Sequence, residues 1–149
     1  MKKTITQISF INCSVEALFD FHTDSINIKK ITPKNTKVEL LNDNSKTFEG
    51  KVVFLKTTRL FIPTYWHVRI EKLVYPNILI DVAIRSPLKY WRHQHIFTQH
   101  PNGCELRDII EYELPFGIFN ILIEPFFRRD IIKMFEYRHA KTKEILENL

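Results

Sequence analysis

Between residues 37 and 114 the apolar side chains recur at every second position in one segment after another. Beyond Pro115 they recur at every third or fourth. A period of two belongs to strands with one buried face, and a period near 3.6 to a helix with one apolar stripe. That order confines the chain to a many-stranded sheet followed by a long helix. The strand segments fall at residues 38–41, 48–59, 65–74, 78–85, 90–97 and 105–115. Breaks stand between them at Ile62-Pro63, Pro76-Asn77, Ser86-Pro87-Leu88-Lys89 and His100-Pro101-Asn102-Gly103. Short connections make sequential strands antiparallel neighbours, so the sheet is a meander.

Ahead of the meander, residues 4–11 alternate as an opening strand. Ser14 stands at an N-cap position, with Glu16 in the first turn, where the helix dipole favours it. Val15, Leu18, Phe19 and His22 trace a short amphipathic helix. A second short helix, capped by Asp24 or Ser25 and carrying Ile26, Ile28 and Ile31, ends before Pro33. Past Pro115-Phe116-Gly117, a stripe of Ile131, Phe135, Arg138, Thr142, Ile145 and Leu149 marks the C-terminal helix. Its first part, residues 120–127, is apolar nearly all round and holds Pro125, which predicts a kink or a restart. The expected architecture is α+β. A curved antiparallel sheet of about seven strands, in the order β-α-α-β6-α, wraps the terminal helix as one domain over residues 1–149.

Composition narrows the function. The formal charge of +5 is spread along the chain in pairs at most, without the clustering or module that nucleic-acid binding needs. Three glycines leave no room for a phosphate loop or a dinucleotide fingerprint. Twelve phenylalanines indicate an interior of large rings. Cys13 and Cys104 have neither disulfide-framework nor metal-type spacing, and with no signal peptide they read as reduced thiols of a cytoplasmic protein. The longest apolar run, residues 114–127, includes Asn120, Glu124 and Pro125 and is too short to span a bilayer, so no stable membrane insertion is expected. No cofactor is implied, and the sequence sets no oligomeric state.

The hairpin at residues 90–115 carries the polar chemistry. Pairing Gln99 with Cys104 sets Trp91 opposite Tyr112, His93 opposite Ile110, His95 opposite Asp108 and Phe97 opposite Leu106. Complementary polar groups thus meet in the middle of an apolar face, the pattern of a lined pocket. His95 with Asp108 can form a charge-assisted hydrogen bond that fixes the imidazole tautomer. His93 or His95 could then serve as a general base oriented by Asp108, or the pair is a structural or ligand-orienting one. His93 and His95 could also ligate a metal with Asp108 as third ligand. Without a cysteine cluster, and with a natural partner for His95, no metal is expected. Trp66, Trp91 and Tyr112 are expected to line either an aromatic wall suited to a flat or greasy ligand or a plainly packed core. Val68, Ile80, Val82, Ile110 and Phe135 extend the apolar lining, and Arg138, in the helix stripe, could pair a ligand carboxylate, pair a sheet carboxylate or snorkel out to solvent. Phe126 and Phe127, with the apolar run before them, are placed either to form a gate at the helix start or to serve as the stripe's ordinary anchor.

Several segments resemble the START-like (SRPBCC) superfamily, and within it the small bacterial ligand-binding and polyketide cyclase/dehydrase-like members. They are Ile62-Pro63-Thr64-Tyr65-Trp66, the run from Ser86 through Phe97, the run from Asp108 through Gly117, and Phe135-Glu136-Tyr137-Arg138. Where relatives carry a Gly-Pro-Phe turn, this chain has Ser86-Pro87-Leu88 at the expected pocket rim. The resemblance implies the helix-grip fold and a cavity between sheet and helix for a lipid, polyketide or aromatic compound. The leading expectation is a carrier or sensor of a small hydrophobic molecule. Its alternatives are a cyclase/dehydrase-type enzyme using His93, His95 and Asp108, and a co-chaperone-like protein-interaction module.

Overall fold

The computed structural model describes residues 1–42 and 46–149. Strand β1 (Lys3–Ile11) leads into helix α1 (Val15–Thr23) and a 3₁₀ turn (Ser25–Lys29). Strands β2 (Thr36–Leu40), β3 (Val52–Arg59), β4 (Ile62–Val74), β5 (Ile78–Arg85), β6 (Tyr90–His100) and β7 (Gly103–Glu113) follow. A short 3₁₀ turn (Gly117–Phe119) then opens helix α2 (Asn120–Glu147). The sheet order is β1-β7-β6-β5-β4-β3-β2, antiparallel throughout, and the half-barrel curls around α2. This is the helix-grip fold.

Local chemistry explains the element ends. Ser14 Oγ accepts from the Ala17 amide at 3.1 Å and caps α1. Asp24 caps the next segment through the Ile26 amide, but only a 3₁₀ turn forms there. The side chain of Asn27 turns inward and donates to the Phe21 carbonyl at 2.9 Å. Helix α2 runs unbroken through Pro125, so the expected restart is absent. Asn120 ties its first turn to the end of β7, accepting from the Phe116 amide and donating to the Leu114 carbonyl, both at 3.0 Å. The stripe that α2 buries is Phe135, His139, Thr142 and Leu146, at helical spacing, while Leu149 is exposed.

Register decides which strand face turns inward. The β6–β7 pairs are those expected from the hairpin, His95 opposite Asp108 included. Across β5 and β6, Leu79 pairs with His95 and Asp81 with His93, so Leu79, Asp81 and Ala83 face α2. The expected inner face of β5 is therefore corrected. Ile80 and Val82 lie on the outer face beside Lys72, Gln94, Arg69 and Arg92. Alternation along β5 defines two apolar faces, and only its partners say which one is internal. A register shift between Ile70 and Lys72 likewise turns Leu73 into the core and leaves Val74 exposed, although Trp66, Val68 and Ile70 share the inner face.

The β3–β4 turn is unusual. Arg59 pairs with Ile62, so two residues make the turn, and both have positive φ (Leu60 51°, Phe61 64°). Asn-Gly is the favoured pair for such a turn, because a side chain with a Cβ is strained there. Replacing Leu60-Phe61 by Asn-Gly is expected to raise stability by about 1–2 kcal/mol, read as a higher urea midpoint. An unchanged midpoint would show that the turn holds no strain.

The interior is in two apolar parts. One, under α1, gathers Ile11, Leu18, Phe19, Leu79, Phe97 and Leu106 with Leu146 of α2. The other gathers Ile5, Trp91, Ile110, Tyr112 and Phe135, with Trp66, Phe127 and Ile131 packed against it. Cys13 and Cys104 sit beside the first, Sγ to Sγ 3.4 Å, as free thiols. Burial pushes the Cys104 thiol up to about 12. Cys104 is thus expected to resist alkylation at pH 8 in the native protein and to react at once in denaturant. Rapid native labelling would contradict that burial.

Candidate functional site

Between the two apolar clusters lies a polar layer. On β6, Trp91 and Phe97 belong to the two clusters, and His93 and His95 fall between them. Asp108 lies opposite on β7, Asp81 comes from β5, and α2 supplies Arg138 and His139 across the gap. His22 reaches the layer from α1, its ring 5.1 Å from that of His95.

Asp108 is the hub. Its Oδ2 accepts from His139 Nε2 at 2.8 Å, and His139 Nδ1 meets Ser9 Oγ at 2.8 Å. In the Nε2–H tautomer, His139 donates to the carboxylate and accepts from the serine hydroxyl. The other carboxylate oxygen, Oδ1, lies 2.8 Å from His95 Nδ1 and 3.2 Å from His93 Nε2. Both contacts are short, but neither has hydrogen-bond alignment, so these three atoms are buried without an aligned partner. The far nitrogens of the same two rings face Asp81 Oδ2, from His95 Nε2 at 3.5 Å and from His93 Nδ1 at 3.9 Å.

Burial and charge act in opposite directions here. Burial alone would lower the His95 pKa, but the two carboxylates outweigh it and hold it up at about 9. His93 is lowered by burial and by its neighbour His95. Burial, with His95 beside it, drives His22 down to about 3, and its Nδ1 is turned to the Leu18 carbonyl at 2.8 Å. Burial would raise the Asp108 carboxyl, yet the imidazoles hold it well below the usual range. The Arg138 guanidinium, over the Phe135 ring at 5.1 Å, is lowered by burial and partly restored by Asp108 and Asp81. Its Nε is buried without a partner.

The four side chains that carry these orphaned atoms line one cavity of about 20 Å³, together with His22, Ile31, Leu106, Phe135, His139 and Thr142. About 10–15 Å³ of such volume suffices for one water, and a water needs two to four polar partners. This enclosed space is therefore a single-water site, far below the volume of a lipid or polyketide.

Of the residues expected from sequence, His93, His95, Asp108, Phe135 and Arg138 meet at this cavity. Trp66, Trp91, Ile110 and Tyr112 stand in the adjoining apolar cluster, where the two indoles meet edge to face at 5.6 Å. Val68 is on the inner face beside Ala83, whereas Ile80 and Val82 are not. Tyr112 also donates to Glu124 at 2.7 Å, which clasps the start of α2 to β7. Sequence reasoning missed His139, His22 and Asp81 as site residues. His139 was legible, since it lies four residues after Phe135 and three before Thr142 in the buried stripe.

Fold and interior together define a helix-grip protein with a polar layer at mid-barrel. The family profile described as "Polyketide cyclase / dehydrase and lipid transport" matches residues 11–136, and the chain belongs to that family, within the START-like superfamily. No curated protein sequence matches the chain. Among solved structures it is similar to a protein from Chromobacterium violaceum, at 12% identity and TM-score 0.77, over 97% of this chain and 96% of that one. It is similar to a Thalictrum norcoclaurine synthase point mutant in complex with a transition-state analogue, at 12% identity and TM-score 0.72, over 98% and 94% of the two chains. The di-domain ARO/CYC StfQ of steffimycin biosynthesis matches at 11% identity and TM-score 0.75, over 99% of this chain and 52% of that one. At these identities the likeness shows the fold. Family and fold support a role in binding a hydrophobic ligand, and no helix among the described residues is long and apolar enough to cross a membrane.

Proposed function

We propose that this protein carries or senses a small, mostly apolar molecule taken up between the sheet and the first half of α2. The observation that carries this reading is the exposure of large apolar side chains at the helix start. Ile118 is 81% exposed, Ile121 81%, Leu122 70% and Phe126 72%. Such a run at the mouth of a grip, on a family fold tied to lipid transport, marks a place where an apolar partner is met. Directly inside it stand Trp66, Trp91, Tyr112 and Phe127, the aromatic wall. Because the enclosed cavity has the size of one water, uptake requires the start of α2 to move outward. Among the described residues its polar and ring ties are the Asn120 bonds, the Tyr112–Glu124 bond, the Phe127 ring against Tyr112, the Arg128 bond to the Thr4 carbonyl and the exposed Arg59–Asp130 pair.

The carrier reading is preferred to a cyclase/dehydrase because the nitrogens of His93 and His95 face Asp108 on one side and Asp81 on the other. Neither ring presents a free base to a substrate-sized space. The test is titration with an environment-sensitive apolar dye such as N-phenyl-1-naphthylamine, followed by displacement with a fatty acid. Saturable 1:1 enhancement that the fatty acid reverses is the expected result. Absence of saturable uptake by the wild-type protein would overturn the reading.

A further inference from the structure

The ring nitrogens of His93 and His95 that point away from Asp108 converge on Asp81. Asp81 Oδ2 lies 3.5 Å from His95 Nε2 and 3.9 Å from His93 Nδ1, and the three atoms all lie within 4.8 Å of one another. Donors held about 2.0–2.2 Å from one tetrahedral ion stand about 3.4 Å apart, so the triad closes on an ion with small ring movements. The geometry points to a binding site for a divalent first-row transition-metal ion, ligated by His93 Nδ1, His95 Nε2 and Asp81 Oδ2.

Two further features support it. Metal-bound imidazoles turn their other nitrogen to a carboxylate, and here both rings turn theirs to the same one, Asp108 Oδ1 at 3.2 and 2.8 Å. Asp108 is itself fixed from behind by His139. Secondly, His93 Nε2 and His95 Nδ1 approach Asp108 Oδ1 without hydrogen-bond alignment, so no aligned bond locks the two rings against the small movements that closing on an ion requires.

Two imidazoles and one carboxylate form an open, three-ligand set that keeps positions for water or a small anion, and nitrogen donors favour zinc, iron or cobalt over magnesium or calcium. The Asp81 side chain, 16% exposed, gives the ion a way in from solvent. The sequence reading expected no metal, and the third ligand here differs from the Asp108 it weighed. Asp108 takes the supporting position behind the rings, and Asp81, hidden in the apolar alternation of β5, takes the ligating one.

The site is tested with chelator-stripped full-length protein and with Co²⁺ or Zn²⁺ alone. One Co²⁺ per chain is expected to bind with a visible absorption band of four- or five-coordinate type, to be displaced by Zn²⁺, and to raise the melting temperature. Asp81→Asn is expected to weaken binding by at least about 100-fold, the upper end of what losing even a supporting partner costs. His100→Gln, exposed and outside the cluster, should leave it unchanged. Binding that survives Asp81→Asn, or that is lost with His100→Gln, would place the ion at the surface and overturn the assignment. If Asp81→Asn does not fold, the wild-type spectrum decides: a weak octahedral band, or no stoichiometric binding at micromolar Co²⁺, refutes the site. None of these readings depends on uptake of an apolar ligand at the other end of the grip.

Discussion

Asp108→Asn is expected to destabilise the fold by about 3–5 kcal/mol, the usual cost of removing one partner from a buried charged pair. The carboxylate accepts from His139 and faces His93 and His95 within 3.2 Å, at 4% exposure of its own side chain. An amide keeps the shape but carries no charge. It presents an N–H₂ to at least one ring that also holds an N–H. The imidazolium at His95 and the guanidinium at Arg138 would then face Asp81 as their remaining carboxylate. For a chain of this size the loss corresponds to a fall of about 10 °C or more in melting temperature. His139→Gln removes one bond from the same hub and should cost less, about 1–3 kcal/mol. Urea denaturation of both variants, with m-values compared, checks the ranking. If Asp108→Asn melts within 1–2 °C of wild type, Asp108 is not the electrostatic hub described above.

Phe135→Ala has the second largest expected effect, about 3–5 kcal/mol for an aromatic ring removed from a packed core. Phe135 is fully buried, stacks on Trp91 at 6.4 Å, meets His93 edge to face at 5.0 Å and lies under Arg138. From the helix side it thus touches both the aromatic wall and the polar layer. Removing it joins the one-water cavity to new space under Trp91. An apolar void of that kind binds small hydrophobic molecules in preference to water. The variant is therefore expected to be less stable and yet to take up N-phenyl-1-naphthylamine more tightly than wild type. A loss below 1 kcal/mol with no gain in dye uptake would show that the neighbouring side chains collapse into the gap.

Much of the architecture was legible because two periodicities and a handful of turns leave few alternatives. The β6–β7 register followed from one assumed turn, and with it the meeting of His95 and Asp108. Face assignment on β4 and β5 was not legible in the same way. A bulge after Ile70 reverses the parity of β4, and β5 is apolar on both sides, so only pairing partners reveal that Asp81 rather than Ile80 points inward. The same parity error put Val82 into the expected lining and kept Asp81 out of the candidate ligands. His139 escaped notice because Arg138, next to it, sits at a stripe position too, and the helix rotation that separates them is set by packing against Ser9 and Asp108. Cavity size is a property of packing, and no pattern in the residues announces that the space within the polar layer is only about 20 Å³.

The division of the interior by a belt of charged and imidazole groups has a consequence for anything that enters from the helix start. A guest passes the indoles first and then meets the belt as a floor, with Arg138 and the histidines at its deepest point. A pure hydrocarbon would have to desolvate that floor without compensating it. An amphiphile entering head first, its carboxylate or hydroxyl on the floor and its tail along Trp66 and Trp91, meets complementary chemistry at both ends. On the carrier reading proposed above, guests would be ranked by polarity along their length as well as by size.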